Sequence, residues 1–291
     1  MTVSSVQIIR TKKDLRARVR DWHMKGLTVG MIPTMGALHH GHLSLIRETQ
    51  KHVDKVVVSI FVNPKQFGPN EDFDKYPRQE TADVEKLQQV RVDLLYAPRP
   101  EEMYPEGFLT NVSVEKITEG LCAAKRPGHF DGVTTVVTKL LLQCLPDVAI
   151  FGEKDYQQYV VLKRLTDDLD IPTRVMCGPL IRDEDGLATS SRNVYLSPEE
   201  RKIALEIPRT LKRIVQEVES GALSLTESLR KGEQHLLASG FQEVQYLEIR
   251  RSEDLAAVTD KISVPSRVLV AAVVGKTRLI DNMPIRAPET V

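Results

Sequence analysis

The feature that most constrains the fold is VVVSIFV at positions 56–62, a run that is apolar on both faces and rich in β-branched residues. Such a strand needs cover on both sides, which is typical of the centre of a parallel sheet. Further strand patterns at 27–32, 93–97, 147–151 and 173–177 alternate with helical patterns. The alternation predicts right-handed βαβ units and a Rossmann-like α/β fold, a parallel sheet with helices on both faces.

The helical patterns of this half begin at the N-terminus, where residues 8–22 are predicted as a helix that leads into the first strand. Leu43, Ile46 and Val53 share one helical face, and so do Val84, Leu87 and Val90. Two more helices are expected at 133–145 and 155–169. The polar stretch 98–132 contains Pro and Gly and is expected to be a long loop.

The pattern changes after residue 178. A helix is predicted over 197–219, because Ser197 and Pro198 supply an N-cap and a favoured first helical residue. A second helix at about 226–238 precedes strand patterns, which lie at 245–250, 267–274 and 278–282. We therefore expect two domains, 1–178 with the Rossmann-like sheet and 179–291 as a smaller α+β domain.

Composition excludes several classes of protein. The 291 residues include 40 basic and 40 acidic side chains, so no net charge favours nucleic acid or an anionic membrane as a partner. No apolar run is long enough to span a bilayer, and the basic N-terminus lacks the apolar core of a secretory signal. Cys122, Cys144 and Cys177 are too widely spaced for a metal or disulfide framework. We expect a cytoplasmic protein.

The densest chemical motif is PTMGALHHGH at 33–42, where the first predicted strand passes into a helix. The unpaired N–H groups of a helix N-terminus suit phosphate, and His39 and His42 can donate hydrogen bonds as charge develops. Gly41 permits close approach of backbone to a ligand. Two alternatives remain, surface histidines that cap the helix and a zinc site. The zinc site is disfavoured because the spacing is not HExxH and no third ligand is apparent.

Two glycine patterns that suggest phosphate binding are rejected. VGKT at 274–277 ends like a P-loop, but the earlier glycine is replaced by Val270 and no helix follows. No GxGxxG follows the first strand, so the dinucleotide fingerprint is missing.

Three other polar motifs follow strand patterns. FVNPKQFGP at 61–69 offers Asn63 and Gln66 for directed hydrogen bonds, unless it is only an Asn-Pro turn. FGEKDYQQ at 151–158 places Lys154 for a phosphate, whereas its Asp155 is either a site residue or only an N-cap. The loop 182–193 carries two hydroxyls and a guanidinium and is either a lid over a triphosphate or a solvated connection.

Taken together, the motifs PTMGALHHGH, FVNPKQFG, YPR, RPGHFDGV, GEKDYQQ and DGLATSSRN closely resemble the pantothenate synthetase (pantoate–β-alanine ligase) family, in the same order. The HxGH motif also marks the wider superfamily of nucleotidylyl transferases and class I aminoacyl-tRNA synthetases. The resemblance implies an ATP-dependent ligase that joins pantoate and β-alanine to pantothenate, a coenzyme A precursor. Pantoyl adenylate is the implied intermediate, and AMP and pyrophosphate are the by-products.

The resemblance also implies roles for individual residues. The catalytic group is His42, His39, Lys154, Ser190, Ser191 and Arg192. ATP is expected to contact Met35, His39, His42, Gly152, Lys154, Asp155, Ser190 and Arg192. Pantoate is expected to contact Met35, Gln66 and Gln158, and β-alanine lies on the side of Asn63 and Arg126. Asp83 matches a position associated with Mg²⁺, although Ala82 and Lys86 replace a carboxylate and an amide found in some relatives.

Other functions compete with this one. Another adenylate-forming or nucleotidylyl-transferring member of the HxGH superfamily would share ATP and His42 but lack the paired glutamines. A nucleotide-sensing or RNA-binding protein on the same fold would need a basic face, which zero net charge disfavours. The resemblance further implies a homodimer with small-molecule substrates as its ligands.

Overall fold

The computed structural model describes residues 6–69, 71 and 73–287, which form two compact units. The first unit takes in Met1–Thr118, Arg126–Glu153 and Val161–Pro179. The second takes in Glu119–Lys125, Lys154–Val160 and Leu180–Val291. The second unit thus includes two short pieces of chain that precede residue 161, besides the continuous stretch from Leu180 onward. The division into domains after residue 178 stays a prediction.

A six-stranded parallel sheet forms the centre of the first unit. Its strands are β1 (Gln7–Ile9), β2 (Val29–Thr34), β3 (Lys55–Ile60), β4 (Leu94–Tyr96), β5 (Val148–Gly152) and β6 (Arg174–Gly178). The strand order is β1-β4-β3-β2-β5-β6, and every neighbouring pair is parallel. From β2, the strands β3 and β4 are added on one side of the sheet and β5 and β6 on the other. Ligands of such sheets bind at this switch point, beyond the carboxyl ends of the strands.

The apolar run at 56–62 lies mostly in β3, an interior strand of the sheet, as its composition predicts. Val56, Val57 and Val58 are at most 1% exposed in β3, so both faces of the strand are covered. β2 and β4 flank β3 on its two edges. The predicted α/β class is therefore confirmed.

Helices connect the six strands along the chain, with three of them between β4 and β5. They are α1 (Lys12–Met24), α2 (His40–Thr49), α3 (Glu80–Gln89), α4 (Pro100–Met103), α5 (Leu121–Lys125), α6 (His129–Cys144) and α7 (Tyr156–Asp168). α6 is deeply buried along its length, with Val133, Val136 and Leu140 each at most 5% exposed. Burial of this apolar face, rather than helix propensity, stabilises the helix.

The prediction of a helix over 8–22 is wrong at its beginning. Ile8 and Ile9 belong to β1, where Ile9 pairs with Tyr96 of β4. The helix begins only after Thr11, whose Oγ1 accepts a hydrogen bond from the N–H of Asp14 at 3.2 Å. The edge of the sheet offers backbone hydrogen bonds that a local helical pattern cannot reveal.

The expected loop over 98–132 is also wrong in part. It contains the short helices α4 and α5 and the first turn of α6, which begins at His129 rather than at residue 133. Gly128, in the left-handed region at φ 77°, precedes that turn. A glycine adopts this conformation without steric cost, so the chain can turn sharply into α6.

The second unit contains a three-stranded antiparallel sheet packed by helices. Its further elements are α8 (Pro198–Ala204), α9 (Glu206–Glu219), α10 (Leu225–Ala238), β7 (Glu243–Arg251), β8 (Ser266–Val274) and β9 (Thr277–Ile285), with β8 in the middle. Ile207, Leu211, Ile214, Val268 and Val270 are at most 1% exposed in a shared core. The predicted smaller α+β part of the fold is confirmed.

The single helix predicted over 197–219 is interrupted at Leu205, where α8 has ended and α9 has not begun. Pro208 has no N–H to donate to the carbonyl of Ala204, and its ring crowds the preceding turn. The start of the helix is as predicted, because Ser197 and Glu200 form a reciprocal capping box.

Gly275 and Lys276 form the turn between β8 and β9. The VGKT segment therefore belongs to a β-hairpin and not to a strand–loop–helix phosphate site, as its sequence context predicted. Among the residues that the structure describes, no helix combines the length and the apolar character needed to cross a bilayer.

Candidate active site

The loop that follows β2 is fixed in an unusual backbone conformation. Gly36 and Ala37 both have positive φ, 84° and 50°. The N–H groups of Ala37 and Leu38 donate to the two carboxylate oxygens of Asp83, at 2.9 and 2.8 Å. A residue on α3 therefore holds the loop that delivers the chain to α2.

The two predicted phosphate-binding histidines open α2 as a capping pair. His39 is the N-cap, and its Nδ1 accepts from the N–H of Gly41 at 3.2 Å. Nδ1 of His42 accepts from the N–H of His39 at 3.3 Å, and the ring centroids are 4.1 Å apart. A backbone N–H can only donate, so each neutral ring must carry its proton on Nε2. His40, between them, is exposed.

In this arrangement, helix capping and hydrogen-bond donation to a phosphate, which the sequence presented as alternatives, do not exclude each other. The histidines do cap the helix, through Nδ1, and the cap itself makes each Nε2–H a hydrogen-bond donor. Donors of fixed direction at a helix N-terminus suit an anionic ligand. The described part of the chain contains no group of three His, Cys, Asp or Glu side chains placed to hold a metal ion.

The motif after β3 forms a second polar cluster, centred on Asn63. Its Nδ2 donates to Oε1 of Gln66 and to the carbonyl of Gly132, both at 3.0 Å. Its Oδ1 accepts from the Tyr104 hydroxyl at 2.8 Å and from the N–H of Lys65 at 3.3 Å. With 1% exposure, Asn63 lies beneath the surface and orients the amide of Gln66.

The oriented amide of Gln66 points its nitrogen at a predicted site residue. Gln66 Nε2 lies 3.1 Å from Sδ of Met35, in the loop after β2. This contact brings the two strand-end motifs together, as the rule for parallel sheets predicts. The close approach of α6 to the 64–66 turn depends on Gly132, where an added Cβ would clash with the backbone carbonyl of Lys65.

Arg126 lies beside the same turn. Its Nε and Nη2 make a two-pronged pair with the carboxylate of Glu71, at 2.7 and 2.5 Å. Nη2 also lies 3.4 Å from the backbone oxygen of Gln66, which His129 Nδ1 approaches at 2.8 Å. The structure thus places Arg126 next to Gln66 with its guanidinium engaged by a carboxylate.

The second unit holds the remaining predicted residues except Gly152. Lys154 and Asp155 form a short helical turn after β5, with Lys154 Nζ 3.3 Å from Asp155 Oδ2. Gln158 lies half-buried in the first turn of α7. Its neighbour Gln157 is buried and accepts from the N–H of Cys122 at 3.0 Å. Gly152, the last residue of β5, belongs to the first unit.

The loop over 182–193, which the sequence left as either a lid or a solvated connection, is braced by side-chain hydrogen bonds. Arg182 makes two hydrogen bonds to Asp281 on β9, at 2.7 and 3.0 Å. Asp183 accepts from Thr189 Oγ1 at 2.6 Å, from Asn193 Nδ2 at 3.2 Å and from Arg201 at 2.9 Å. Both ends of the Ser190–Arg192 segment are therefore fixed to one carboxylate.

Electrostatics support this bracing. Burial alone would raise the pKa of Asp183, but the hydrogen bonds from Thr189, Arg201 and Asn193 outweigh it and hold the pKa below the ordinary value. Within the segment, Ser190 begins a short 3-10 helix, Ser191–Tyr195, and its side chain accepts from the N–H of Arg192 at 3.3 Å. The hydroxyls and the guanidinium are thus presented by an ordered turn.

Two neighbouring residues of β9 contact the 182–193 loop and the turn that contains Lys154 and Asp155. Asp281 holds Arg182, and Asn282 Nδ2 donates to the backbone oxygen of Lys154 at 3.1 Å. Sequence reasoning missed both residues, as it missed Tyr104. The available indication was an adjacent Asp and Asn flanked on both sides by apolar residues of the strand, where a buried polar pair needs a partner.

Comparison with known proteins identifies the family. Residues 7–284 match the family model described as Pantoate-beta-alanine ligase. The chain is 52% identical to the pantothenate synthetase of Chelativorans sp. (strain BNC1), over 98% of this chain and 99% of that protein. The corresponding enzyme of Paramagnetospirillum magneticum is also 52% identical, over 97% and 99%. The chain belongs to the pantoate-beta-alanine ligase family.

Solved structures of the family agree with the fold. The pantothenate synthetase of Thermus thermophilus superposes with a TM-score of 0.88 at 46% identity, over 96% of this chain and 99% of the other. The pantoate-beta-alanine ligase of Francisella tularensis, solved in complex with β-γ ATP and β-alanine, has a TM-score of 0.80 at 35% identity, over 96% and 97%. As a ligase of this family, the chain joins pantoate to β-alanine.

The residues around Asp83 do not fit the resident magnesium ion that the family resemblance implies. Asp83 is 1% exposed, and both of its oxygens accept backbone N–H groups. The ammonium of Lys86 lies 3.8 Å from Oδ1. Mg²⁺ prefers six oxygen ligands and retains several waters. A buried carboxylate already beside a cation offers neither the space nor the uncompensated charge.

Proposed function

We propose that the ligase works through an acyl adenylate. The carboxylate of pantoate attacks the α-phosphorus of ATP, which forms pantoyl adenylate and releases pyrophosphate. The amine of β-alanine then attacks the activated carbonyl, and AMP leaves with the bonding electrons as pantothenate forms. Adenylation is needed because a free carboxylate has no adequate leaving group. The observation that carries the proposal is the capping pair His39–His42, whose Nε2 protons are fixed by backbone contacts.

The first step concentrates negative charge on the phosphates. His39 and His42 supply neutral donors whose direction is set before substrate arrives, so little reorganisation accompanies the reaction. The N-terminus of α2 adds the positive end of its dipole. We assign these two imidazoles to the phosphates of ATP and place Met35, in the preceding loop, at the junction between nucleotide and pantoate.

Gln66 and Gln158 are proposed to bind pantoate. The orientation of the Gln66 amide supports this assignment, because Asn63 donates to its oxygen and its nitrogen lies beside Met35, which is also proposed for pantoate. A directed amide donor recognises a carboxylate or hydroxyl. Asn63 and Arg126 are proposed for the β-alanine side, where a guanidinium would meet the carboxylate of that substrate. Asn63 also orients the amide of Gln66.

The second unit is proposed to bind the nucleotide. Lys154 and Arg192 supply positive charge for the phosphates, and Ser190 and Ser191 supply hydroxyl donors. Gly152, which ends β5 in the first unit, permits close approach of backbone to ATP, and Asp155 accepts from the ribose or adenosine end. The bracing of the 182–193 loop supports this, because charged donors act best when held in place before the transition state.

Magnesium enters as part of the substrate. ATP in the cell carries Mg²⁺ on its phosphates, and this ion commonly keeps phosphate oxygens and water as its ligands. The protein therefore needs to recognise the magnesium complex of ATP without a dedicated metal site. We further propose a cytoplasmic homodimer, supported by the three free cysteines, which suit a reducing compartment, and by the prevalence of two-fold oligomers.

One experiment separates this function from that of other HxGH enzymes. Pyrophosphate release is measured with ATP and pantoate together, with each alone, and with a fatty acid or amino acid in place of pantoate. We expect release only when ATP and pantoate are both present, followed by AMP and pantothenate when β-alanine is added. Release with another acyl donor, or in the absence of pantoate, would assign the chain a different substrate. Light scattering at twice the 32.8 kDa chain mass would support the dimer.

A further inference from the structure

The carboxylate of Asp83 is fully engaged by backbone beside the histidine pair. It projects from α3 and accepts from two consecutive backbone N–H groups, those of Ala37 and Leu38. Those two residues immediately precede His39, the N-cap of α2. The carboxylate thereby fixes Ala37 and Leu38, the last two residues before the proposed phosphate donors.

Lys86 completes the grip from one turn further along α3. Its Nζ donates to the backbone oxygen of Leu38 at 2.7 Å and lies 3.8 Å from Asp83 Oδ1. The pair therefore binds two N–H groups and one carbonyl of the same short segment. The ammonium also balances the buried carboxylate, which would otherwise carry a large desolvation cost.

The loop needs such a restraint because its backbone conformation is unfavourable in isolation. Ala37 adopts φ 50°, a region that L-residues other than glycine rarely enter. Gly36 is also constrained, since an added Cβ would lie 3.1 Å from both Asp83 Oδ2 and Ile60 Cγ2. A strained segment persists only when its surroundings specify it, and strained segments are common at functional sites.

We infer that Asp83 and Lys86 are positioning residues for the His39–His42 pair, and that the Lys86 ammonium takes the role of a divalent cation at this place. The inference rests on the proposed function for the roles of the histidines. Loss of either contact frees the segment before His39, and the Nδ1 hydrogen bonds that fix both rings then lose their geometry. Small displacements of this kind cost catalysis far more than substrate binding.

The test uses Asp83→Asn and Lys86→Met, with Glu85→Gln as the matched control. Glu85 is an exposed acid on the same helix. Asparagine keeps the shape of Asp83 but opposes an amide N–H to one of the backbone donors, whereas methionine keeps the lysine stem without its charge. In both variants we expect the rate of pyrophosphate formation to fall about 100-fold, whereas KM for ATP stays at its wild-type value. The control variant should form pyrophosphate at the wild-type rate.

A spectroscopic readout separates positioning from a general structural role. Long-range ¹H–¹⁵N spectra of histidine-labelled protein report the tautomer of each ring. We expect the Nε2–H form for His39 and His42 in the wild type and in Glu85→Gln, and mixed tautomers in Asp83→Asn and Lys86→Met. Wild-type rates with unchanged tautomers in both variants would overturn the inference. Should Asp83→Asn melt below the assay temperature, Lys86→Met decides alone.

The two failures are distinguishable. If the proposed function is wrong, the wild type shows no pantoate-dependent pyrophosphate release, while the tautomer contrast between wild type and variants persists. If the positioning role is wrong, the wild type is active and the variants match it in both readouts.

The metal is tested with Mn²⁺ alone, without nucleotide, by electron paramagnetic resonance of the wild type and Asp83→Asn. We expect the two proteins to leave the same amount of Mn²⁺ free. A bound ion in the wild type that is lost in Asp83→Asn would overturn the assignment of the cation role to Lys86.

Discussion

Asn63 donates a hydrogen bond from Nδ2 to Oε1 of Gln66 at 3.0 Å, and this contact decides which end of the Gln66 amide is available to a substrate. Asn63 is itself oriented by Tyr104, whose hydroxyl donates to Oδ1 at 2.8 Å. Burial raises the pKa of Tyr104 above its ordinary value, so the phenol remains a proton donor through the physiological range. The proposed pantoate contact thus depends on a tyrosine that the sequence motifs do not include.

Tyr104→Phe is therefore expected to raise KM for pantoate and leave KM for ATP unchanged. Loss of one neutral hydrogen bond corresponds to roughly a 3- to 10-fold effect. The measurement is initial-rate kinetics with each substrate varied in turn. Tyr96→Phe is the matched control, because its buried hydroxyl donates to Gln143 at 2.8 Å, also a side-chain amide. An equal rise in KM for pantoate in the control would refute the role of Tyr104.

His42→Ala is expected to slow pyrophosphate formation by about 100- to 1,000-fold, the usual cost of removing one donor to developing negative charge. Rapid-quench measurement of the first turnover isolates this step from product release. His40→Ala serves as the control, since this adjacent histidine is exposed and should retain the wild-type rate. Near-normal pyrophosphate formation in His42→Ala would remove the imidazole from the phosphate site.

Gln158→Ala should weaken the binding of pantoate while calorimetry of ATP binding stays unchanged. The side chain is half-buried at the start of α7, and its amide is proposed to contact the acid directly. The affinity for pantoate is expected to fall roughly 10-fold, as for a lost polar contact at a site. An equal loss of affinity for ATP would instead place Gln158 in the nucleotide site.

The brace at Asp183 predicts a pH dependence of stability. Its pKa is lower in the folded protein than in the unfolded chain, so the folded state binds fewer protons in the acidic range. The stabilisation is therefore complete above the unfolded pKa of about 3.9, and it is lost as pH falls through the lower folded pKa. The wild type should exceed Asp183→Asn in Tm by a constant amount from pH 7 to about pH 4.

Below that range the difference in Tm should shrink, because protonation of the wild-type carboxylate removes the ionic hydrogen bonds from Arg201. Scanning calorimetry of both proteins from pH 7 downward measures it. A difference that persists or grows on acidification would show that Asp183 stabilises the loop by packing rather than by charge.

The sequence alone predicts the features that are local or periodic. His39 and His42 are adjacent members of one motif, and the buried character of β3 is evident from its residues alone. Ile8 and Ile9 of β1 fall within the predicted helix because the partner strand, β4, lies far along the chain and leaves no local pattern. Pro208 could have indicated the break between α8 and α9, since its effect on the preceding turn is local.

The supports of the site were harder to predict than its donors. Asp83, Asp281 and Asn282 act on loops that are distant in sequence, and their roles follow only from the hydrogen bonds of the folded chain. Asp83 matches a family position associated with Mg²⁺, and only the structure shows that its carboxylate holds the backbone N–H groups of Ala37 and Leu38. Long-range hydrogen bonds of this kind have no periodicity for a sequence to display.

The central claim is that a pantoyl adenylate forms, and transfer of oxygen tests it most directly. Pantoate labelled with ¹⁸O in both carboxylate oxygens is converted with ATP and β-alanine, and the products are analysed by mass spectrometry. Attack of the carboxylate on the α-phosphorus predicts one labelled oxygen in AMP and the other in the amide carbonyl of pantothenate. Unlabelled AMP, or ADP with labelled inorganic phosphate, would contradict the account.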